Sequence, residues 1–559
     1  MIEDILRKNI EGALTKLAIN SIPFKVEHPS EIVYGDYSTN VAMVCAKEQK
    51  QNPYDVALSI KAELEKEHIE YIESIEVVKP GFINFKLTPE FFSKTLQDIL
   101  NDSSYGKNTS LAGRKTIVEY TDPNPFKEFH IGHLMSNTIG EALSRIIEWN
   151  GAEVKRACYQ GDVGLHVAKA IAHKLKSNVV WETEKNVSNS YVQGSKLYEE
   201  DEAFKAFVIE VNKKVYNKTD DAVNDAYTQG RAITLAHFDA LYTMLGTQFD
   251  YFFFESTTGE FGKALVHENK KIFTESEGAV VYEGEKRDPT LHTRVFINKE
   301  GLPTYEAKEL GLAKIKYDTY PYDASIVITG NEINEYFRVL LSAMGEIFPK
   351  LAEKTKHISH GMLRMPQGKM SSRMGNVITA EDLVEEVKEK ILEKIETSHK
   401  EVGDKNILAQ DVAIGAIKYS ILHQSIGKDI IFNFETSLSF DGDSGPYLQY
   451  ANARAHSLLE KAKIEGVLPD SSGDTIYPVE RYIYQFPEII LRAMQELAPQ
   501  LIATYLIELA GSFNHLYAEH VIVDSKDPSS PKKVAITKAV HTILMNGLSI
   551  LGIPTPKVM

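Results

Sequence analysis

Cysteine is almost missing from this chain: 559 residues carry two, Cys45 and Cys158, far apart in sequence. Two distant thiols supply neither a disulfide framework nor a thiolate zinc site, so any metal has to arrive with a nucleotide. Long apolar runs are missing as well. No stretch reaches the roughly 18 apolar residues that a membrane-crossing helix needs. The N-terminus "MIEDILRKNIEGALTKL" carries charges at helical spacing where a signal peptide requires an uncharged centre, and a cytoplasmic protein is expected. Positive charge is in deficit, with 62 basic against 78 acidic residues and a net −16 at pH 7. That balance excludes a protein that coats nucleic acid indiscriminately, because nonspecific binding is mostly phosphate neutralisation. It leaves room for a local basic groove. Internal repeats and low-complexity tracts are also lacking.

What is present is the composition of a soluble globular chain, 43% hydrophobic and 25% charged. The length exceeds one core, and at about 150 residues per domain it suggests roughly three or four units. Residues 1–105 alternate helical and strand patterns, with a polar turn read at "YGDYSTN" and strands at "IESIEVVKPGFINFKL", which predicts a small α+β domain. The segment "LNDSSYGKNTSLAGRK" reads as a linker. From "TIVEYTD" the pattern becomes strand, loop, helix, strand, and "EVKRACYQGD" closes a βαβ unit. A long helical stretch from about His166 to Phe249 interrupts the sheet, which is expected to resume at "LHTRVFI" and "ASIVITGNE". From about Thr379 nearly everything reads as helical. The expected architecture is α/β: a Rossmann-type parallel-sheet domain with a helical insertion over 106–380, preceded by the α+β domain at 1–105 and followed by an all-α bundle at 381–559.

Two stretches carry chemistry. In "TDPNPFKEFHIGHLM" a proline-broken loop turns into a helix at His130-Ile131-Gly132-His133. Histidines three apart can present two imidazoles to one ligand, a glycine between them lets it approach the backbone, and a helix N-terminus attracts phosphate. Far downstream, "RMPQGKMSSRMGN" combines Lys369, two serines, Arg373 and two glycines. A flexible cationic loop facing a helix N-terminus is what transfer at an α-phosphate requires, since charge develops on pyrophosphate.

HIGH followed by a KMSKS-like loop resembles the class I aminoacyl-tRNA synthetases, and the surrounding residues resemble the arginyl-tRNA synthetase family. These are Glu119, Pro123, Asn124 and Lys127 before HIGH, the Gly161-Asp162 turn, the late "GDSGPYLQYANAR", the N-terminal "YGDYSTNVAM" and "KPGFINFKL", and the helical "LAPQLIATYLIELAGSFNHLYAEHVIV". The resemblance spans nearly the whole chain. It implies an ATP- and Mg2+-dependent enzyme, a monomer, that joins L-arginine to its tRNA without a protein nucleophile. The N-terminal domain would contact tRNA and the helical bundle would bind the anticodon. Such enzymes need tRNA before they activate arginine, and they lack an editing domain. The last point is physically reasonable, because a site built to pair a buried guanidinium rejects analogues without it by about 10⁴ or more.

The same resemblance implies residue roles. His130, His133, Lys127 and Lys369 would be catalytic. ATP would be held by His130, Gly132, His133, Gly330, Glu332, Lys369, Met370, Ser371 and Arg373. Arginine would be held by Glu119, Asn124, Tyr305 and Glu309, the last two sharing a helix face. Tyr447, Gln449, Arg454 and Met559 would meet tRNA. Three positions depart from the family pattern: Ile333 where a glutamine is common, Val163 where tryptophan is usual, and Ser372 in place of the signature lysine, whose charge Lys127 would replace. Two rival readings are a class I synthetase for another amino acid, which the acidic Glu119 and Glu309 disfavour, and a silent tRNA-binding paralogue, which intact HIGH and Lys369 disfavour.

Overall fold

The computed structural model describes residues 2–20, 22–29, 31–365, 378–397 and 403–559. The chain divides into two compact units, one made of Met1–Tyr105, Arg454–Pro487 and Glu508–Leu544, the other of Gly106–Ala453, Glu488–Ile507 and Met545–Met559. Among the described residues no helix is long and apolar enough to cross a membrane.

In the first unit a four-stranded antiparallel sheet runs in the order Val26–Glu27, Tyr37–Thr39, Phe82–Leu87, Ile72–Val78. Helices Ile2–Lys16, Val41–Gln49 and Pro53–Leu64 cover it through a core that includes Leu6, Ile10, Ile60, Ile83 and Phe85. The stretch read as a polar turn supplies the strand Tyr37–Thr39. Pairing with Phe82–Leu87 buries Tyr37 and Thr39 to 1% exposure, and that tertiary partner overrides the polar composition. Asp36 beside it accepts from Leu87 N at 2.8 Å and pairs with Arg481, which joins the 454–487 segment to the sheet.

The second unit is built on a five-stranded parallel sheet: β1 Lys115–Glu119, β2 Glu153–Gln160, β3 Tyr251–Phe254, β4 Ala324–Gly330 and β5 Thr355–His360, in the order β5-β4-β1-β2-β3. Strand order reverses between β1 and β4, so loops leaving their carboxyl ends diverge and open a crevice. Helix α1, Ile131–Trp149, crosses from β1 to β2 with Ile139, Leu143, Ile146 and Ile147 buried. Between β2 and β3 lie α2 Leu165–Ser177, α3 Glu184–Glu200, α4 Glu202–Asn217 and α5 Asp221–Met244, packed around Val167, Ile171, Trp181, Val187 and Val208. Val163 lies in this core rather than at a surface. After β3 come α6 Glu255–Glu268 and, before β4, α7 Tyr305–Thr319.

The segment "LHTRVFI" does not continue the parallel sheet. Thr293–Ile297 pairs antiparallel with Ala279–Glu283 in a separate three-stranded sheet completed by Thr274–Ser276. Its first half is solvent-exposed and only Phe296 and Ile297 are buried, whereas strands covered on both faces are buried throughout. The strands that do extend the parallel sheet are the short "YFFF" of β3 and the polar edge strand "TKHISH" of β5.

Beyond Ala380 the regular elements of the described chain are all helices except for the two-residue strand Ile430–Ile431. The last residues of the chain fasten onto the second unit: Lys418 donates to Leu245 O at 2.6 Å and Gly552 O at 2.8 Å, and Arg145 donates to Ser549 O at 2.8 Å. Burial and the nearby Arg145 charge pull the Lys418 ammonium down to about 7.

Helix α5 reaches the loop before HIGH because Gly230 has no side chain. A Cβ there would enter the Phe126 ring and lie 2.7 Å from Trp181, and both rings are fully buried. Gly230→Ala is therefore expected to lower stability by about 1–2 kcal/mol, overpacking outweighing the helix propensity gained. Thermal unfolding checks this, and an unchanged or raised midpoint would refute the close fit.

Candidate active site

The loop from β1 to α1 departs from ordinary backbone geometry. Thr121, Asp122 and Phe126 have φ of 80°, 48° and 70°, left-handed values that cost energy for any side chain and most for a β-branched one. Thr121 is held there from two sides: its N–H donates to Ser136 Oγ at 2.9 Å, Asn137 Nδ2 donates to its Oγ1 at 3.0 Å, and Ser136 donates on to Ile328 O of β4 at 3.1 Å. The strain aims the loop at the crevice.

His130 is not on the helix but caps it. Its backbone is extended, its Nδ1 accepts from Gly132 N at 3.1 Å, and His133 Nδ1 accepts from His130 N at 3.2 Å. The rings stack with centroids 3.7 Å apart, so convergence arises from a reciprocal cap rather than from helical spacing alone. The cap also sets the tautomers. Burial, reinforced by the Lys127 charge, lowers the pKa of His130; burial, His130 and Lys127 lower that of His133 further. Both imidazoles are neutral, and with each Nδ1 accepting, each Nε2 carries the proton and is a donor. Gly132 must lack a side chain, since a Cβ would lie 2.9 Å from the His130 ring.

A cavity of about 510 Å³ opens at the carboxyl ends of the strands. Its lining includes His130, Gly132 and His133 with Thr329, Gly330, Glu332 and His360. It also includes Asp122, Asn124, Glu255, Tyr305, Glu306 and Glu309, with Arg294, Ile333 and Tyr336. Cations already answer part of this acidity. Lys308 donates to Glu255 Oε2 at 2.6 Å, and Arg294 lies 3.8 Å from Glu306. The pKa of Asp122 is raised well above normal by burial and then by the Glu119 charge, although Tyr159 N donates to it at 2.7 Å. Burial, then Glu119, pushes the Glu309 carboxyl up to about 8. Two carboxylates held against ionisation in one pocket form a receptor for a cation, which would relieve both.

Most of the sequence-derived site meets here: Asn124, His130, Gly132, His133, Tyr305, Glu309, Gly330 and Glu332 all line the cavity, Tyr305 at 59% exposure. Glu119 does not line it. Its carboxylate is buried against Lys316 Nζ at 2.6 Å, so it acts on the pocket through its field. Lys127 stands back from the lining with its Nζ 5.1 Å from the Tyr191 ring centroid. Gln449 is fully buried, donating to the carbonyl oxygens of Asp411 and Pro554, and its amide is engaged within the fold rather than at a surface. Tyr447 and Met559 are half-buried, and Arg454 bonds Asn514 and lies 4.7 Å from the Tyr517 ring. Lys369, Met370, Ser371, Ser372 and Arg373 lie outside the described residues. The chain that follows them bonds directly to HIGH: Ile131 N donates to Ile378 O at 3.2 Å and Ala380 N to Phe129 O at 2.9 Å. Sequence reading missed Asp122, Glu255, Arg294, Glu306 and His360. Glu255 carried a signal, an acid immediately after the apolar run "YFFF" at a strand's carboxyl end.

Comparison with known proteins places the chain in a family. Residues 95–434 match the family described as tRNA synthetases class I (R), catalytic domain; residues 4–87 match the arginyl tRNA synthetase N terminal domain, and residues 448–559 the DALR anticodon binding domain. The arginine–tRNA ligase of Treponema denticola is 28% identical over 100% of this chain and 99% of its own length, and that of Clostridium kluyveri is 28% identical over 98% and 97%. Among solved structures, Thermus thermophilus arginyl-tRNA synthetase superposes with a TM-score of 0.82 at 25% identity, covering 100% of both chains. The Plasmodium falciparum arginyl-tRNA synthetase shares the fold, with a TM-score of 0.77 at 20% identity over 100% of this chain and 99% of that one. With its strained loop, its capped histidine pair and a family match across most of its length, the chain belongs to the class I arginyl-tRNA synthetases.

Proposed function

We propose that the cavity holds L-arginine and ATP side by side, the guanidinium against Asp122, Glu309 and Glu255 and the phosphates against His130, Gly132 and His133. One observation carries this reading: a single cavity is lined both by a capped pair of neutral histidines at a helix N-terminus and by Asp122 and Glu309, carboxyls that burial and neighbouring charge hold against ionisation. The enzyme is an ATP-dependent arginine–tRNA ligase. The arginine carboxylate attacks the α-phosphorus, the bond to the β-phosphate breaks, and pyrophosphate leaves with the charge. The ribose hydroxyl at the tRNA 3′ end then attacks the arginyl carbonyl and releases AMP. Positioning and charge stabilisation supply the catalysis. Asn124 orients the α-amino or carboxylate end of arginine. Gly330 and Glu332, leaving β4, take the nucleoside. Lys127, with Lys369 and Arg373 from the KMSKS-like loop, meets the pyrophosphate. The chain after that loop is anchored to Phe129 and Ile131, which supports their meeting at one site. Mg2+ enters on the ATP phosphates.

The proposal extends to the whole chain: residues 1–105 contact tRNA, 106–380 catalyse, and 381–559 bind the anticodon, with Tyr447, Arg454 and Met559 among the tRNA-facing positions. The enzyme works as a cytoplasmic monomer. ATP–pyrophosphate exchange measured across the amino acids, with and without tRNA, tests the function. Exchange is expected with arginine alone and only when tRNA is present. Exchange driven by an apolar amino acid, or none with arginine and tRNA together, would overturn it.

A further inference from the structure

We infer that Asp162, Tyr227 and Arg231 form a positioning clamp through which the helical insertion sets the place of Glu255 in the arginine pocket. Asp162 follows β2 and is fully buried. Its Oδ1 accepts from Ser256 N at 2.9 Å. Its Oδ2 accepts from Ser256 Oγ at 2.8 Å, Tyr227 OH at 2.8 Å and Arg231 Nε at 3.0 Å. Tyr227 and Arg231 are one turn apart on α5, whereas Ser256 is in the first turn of α6. The Arg231 guanidinium also lies 4.0 Å from the centroid of the Phe254 ring. Glu255 sits between Phe254 and Ser256, and both neighbours are gripped. The turn is secured from behind as well, since His166, pulled down to about 3 by burial and so neutral, donates through Nε2 to Gly161 O at 2.8 Å.

None of the three clamp residues lines the cavity. Their most direct route to the substrate is Glu255, held between the two residues they grip and tied on its other side to Lys308. Without Arg231 the buried Asp162 loses its only cationic partner among the described ion pairs. A buried carboxylate in that position relaxes toward water or toward another donor, and takes Ser256 with it. A carboxylate displaced by as little as an ångström no longer meets a planar guanidinium edge-on. Arginine recognition therefore depends on a residue of the insertion that never touches arginine.

This inference rests on the proposed role of Glu255. The test compares Arg231→Met, Arg231→Lys and Tyr227→Phe with Glu255→Gln, reading arginine KM, ATP KM and kcat in tRNA-dependent exchange. Arg231→Met is expected to raise arginine KM about tenfold, the scale of one charge-assisted hydrogen bond lost at one remove. ATP KM is expected to stay within about twofold, Arg231→Lys to recover part of the loss, and Tyr227→Phe to shift arginine KM in the same direction by about threefold. Tyr227→Phe keeps the ring, so it reports even where Arg231→Met fails to fold. Arginine KM unmoved in Arg231→Met and Tyr227→Phe while Glu255→Gln raises it overturns the clamp alone. Arginine and ATP KM rising together also overturns it, because that is general loosening. Unchanged arginine KM in Glu255→Gln overturns the pocket reading itself.

Discussion

Replacing His130 or His133 by alanine is expected to slow arginyl-adenylate formation by about 10²–10³, or roughly 2.7–4 kcal/mol of transition-state stabilisation each. Both rings are stacked, capped and neutral, so each presents a fixed Nε2–H before ATP binds, and no reorganisation is needed as charge develops on the leaving pyrophosphate. His130→Ala also removes the acceptor for Gly132 N and should cost about 1 kcal/mol of stability as a lost cap. Single-turnover adenylate formation, read beside thermal unfolding, separates the two effects. The pH profile adds a check. Because burial lowers both histidines below 6.5, any histidine inflection in the wild-type rate should fall on the acid side of 6.5, where each neutral ring would gain a second proton. Near-normal adenylate formation in both variants would remove the pair from the mechanism.

What sequence could show about this site follows from how each residue earns its place. The histidine pair was legible because a cap is local: the residues that build it are adjacent, and Gly132 between them marks a close approach. The βαβ unit was legible for the same reason, through the apolar stripe of α1 and the strands on either side. The acidic pocket was half legible. Tyr305, Glu306 and Glu309 share one helix, where spacing could pair the first with the last, but Asp122 and Glu255 come from two other segments brought together by the order β5-β4-β1-β2-β3. Glu119 shows the opposite failure. It stands at the correct strand end, yet Lys316, nearly 200 positions away, occupies its carboxylate, and no local pattern announces such a partner. "LHTRVFI" failed because strand propensity does not choose a sheet: Thr293–Ile297 is a strand, but its neighbours are antiparallel.

Glu309 offers the second large effect. Its carboxyl, pushed up to about 8 from an ordinary 4.5 by burial and the Glu119 charge, is mostly protonated at neutral pH in the arginine-free pocket. A guanidinium favours the ionised form, so binding arginine should release a proton. Arginine KM should then fall as pH rises toward about 8 and level off above it. The stability sign is the reverse of an ordinary salt-bridged acid: a folded-state pKa above the unfolded value means that the substrate-free protein loses stability as pH rises from about 4.5 to about 8. Glu309→Gln removes the charge and the titration together. It should raise arginine KM by about 10- to 150-fold, the 1.5–3 kcal/mol of a charge-assisted hydrogen bond, and flatten the pH dependence of KM. Glu309→Asp keeps the charge on a shorter arm and should cost less. Calorimetry in buffers of different ionisation enthalpy counts the proton. Thermal unfolding at pH 8 without arginine should show Glu309→Gln more stable than wild type, because a carboxylate forced to ionise in a poorly solvated pocket has been replaced by a neutral amide. Lost arginine use with gained stability is a combination that general damage to the fold does not produce. Should Glu309→Gln charge arginine with wild-type KM at pH 7 and pH 8, the guanidinium must be held by Asp122 and Glu255 without it.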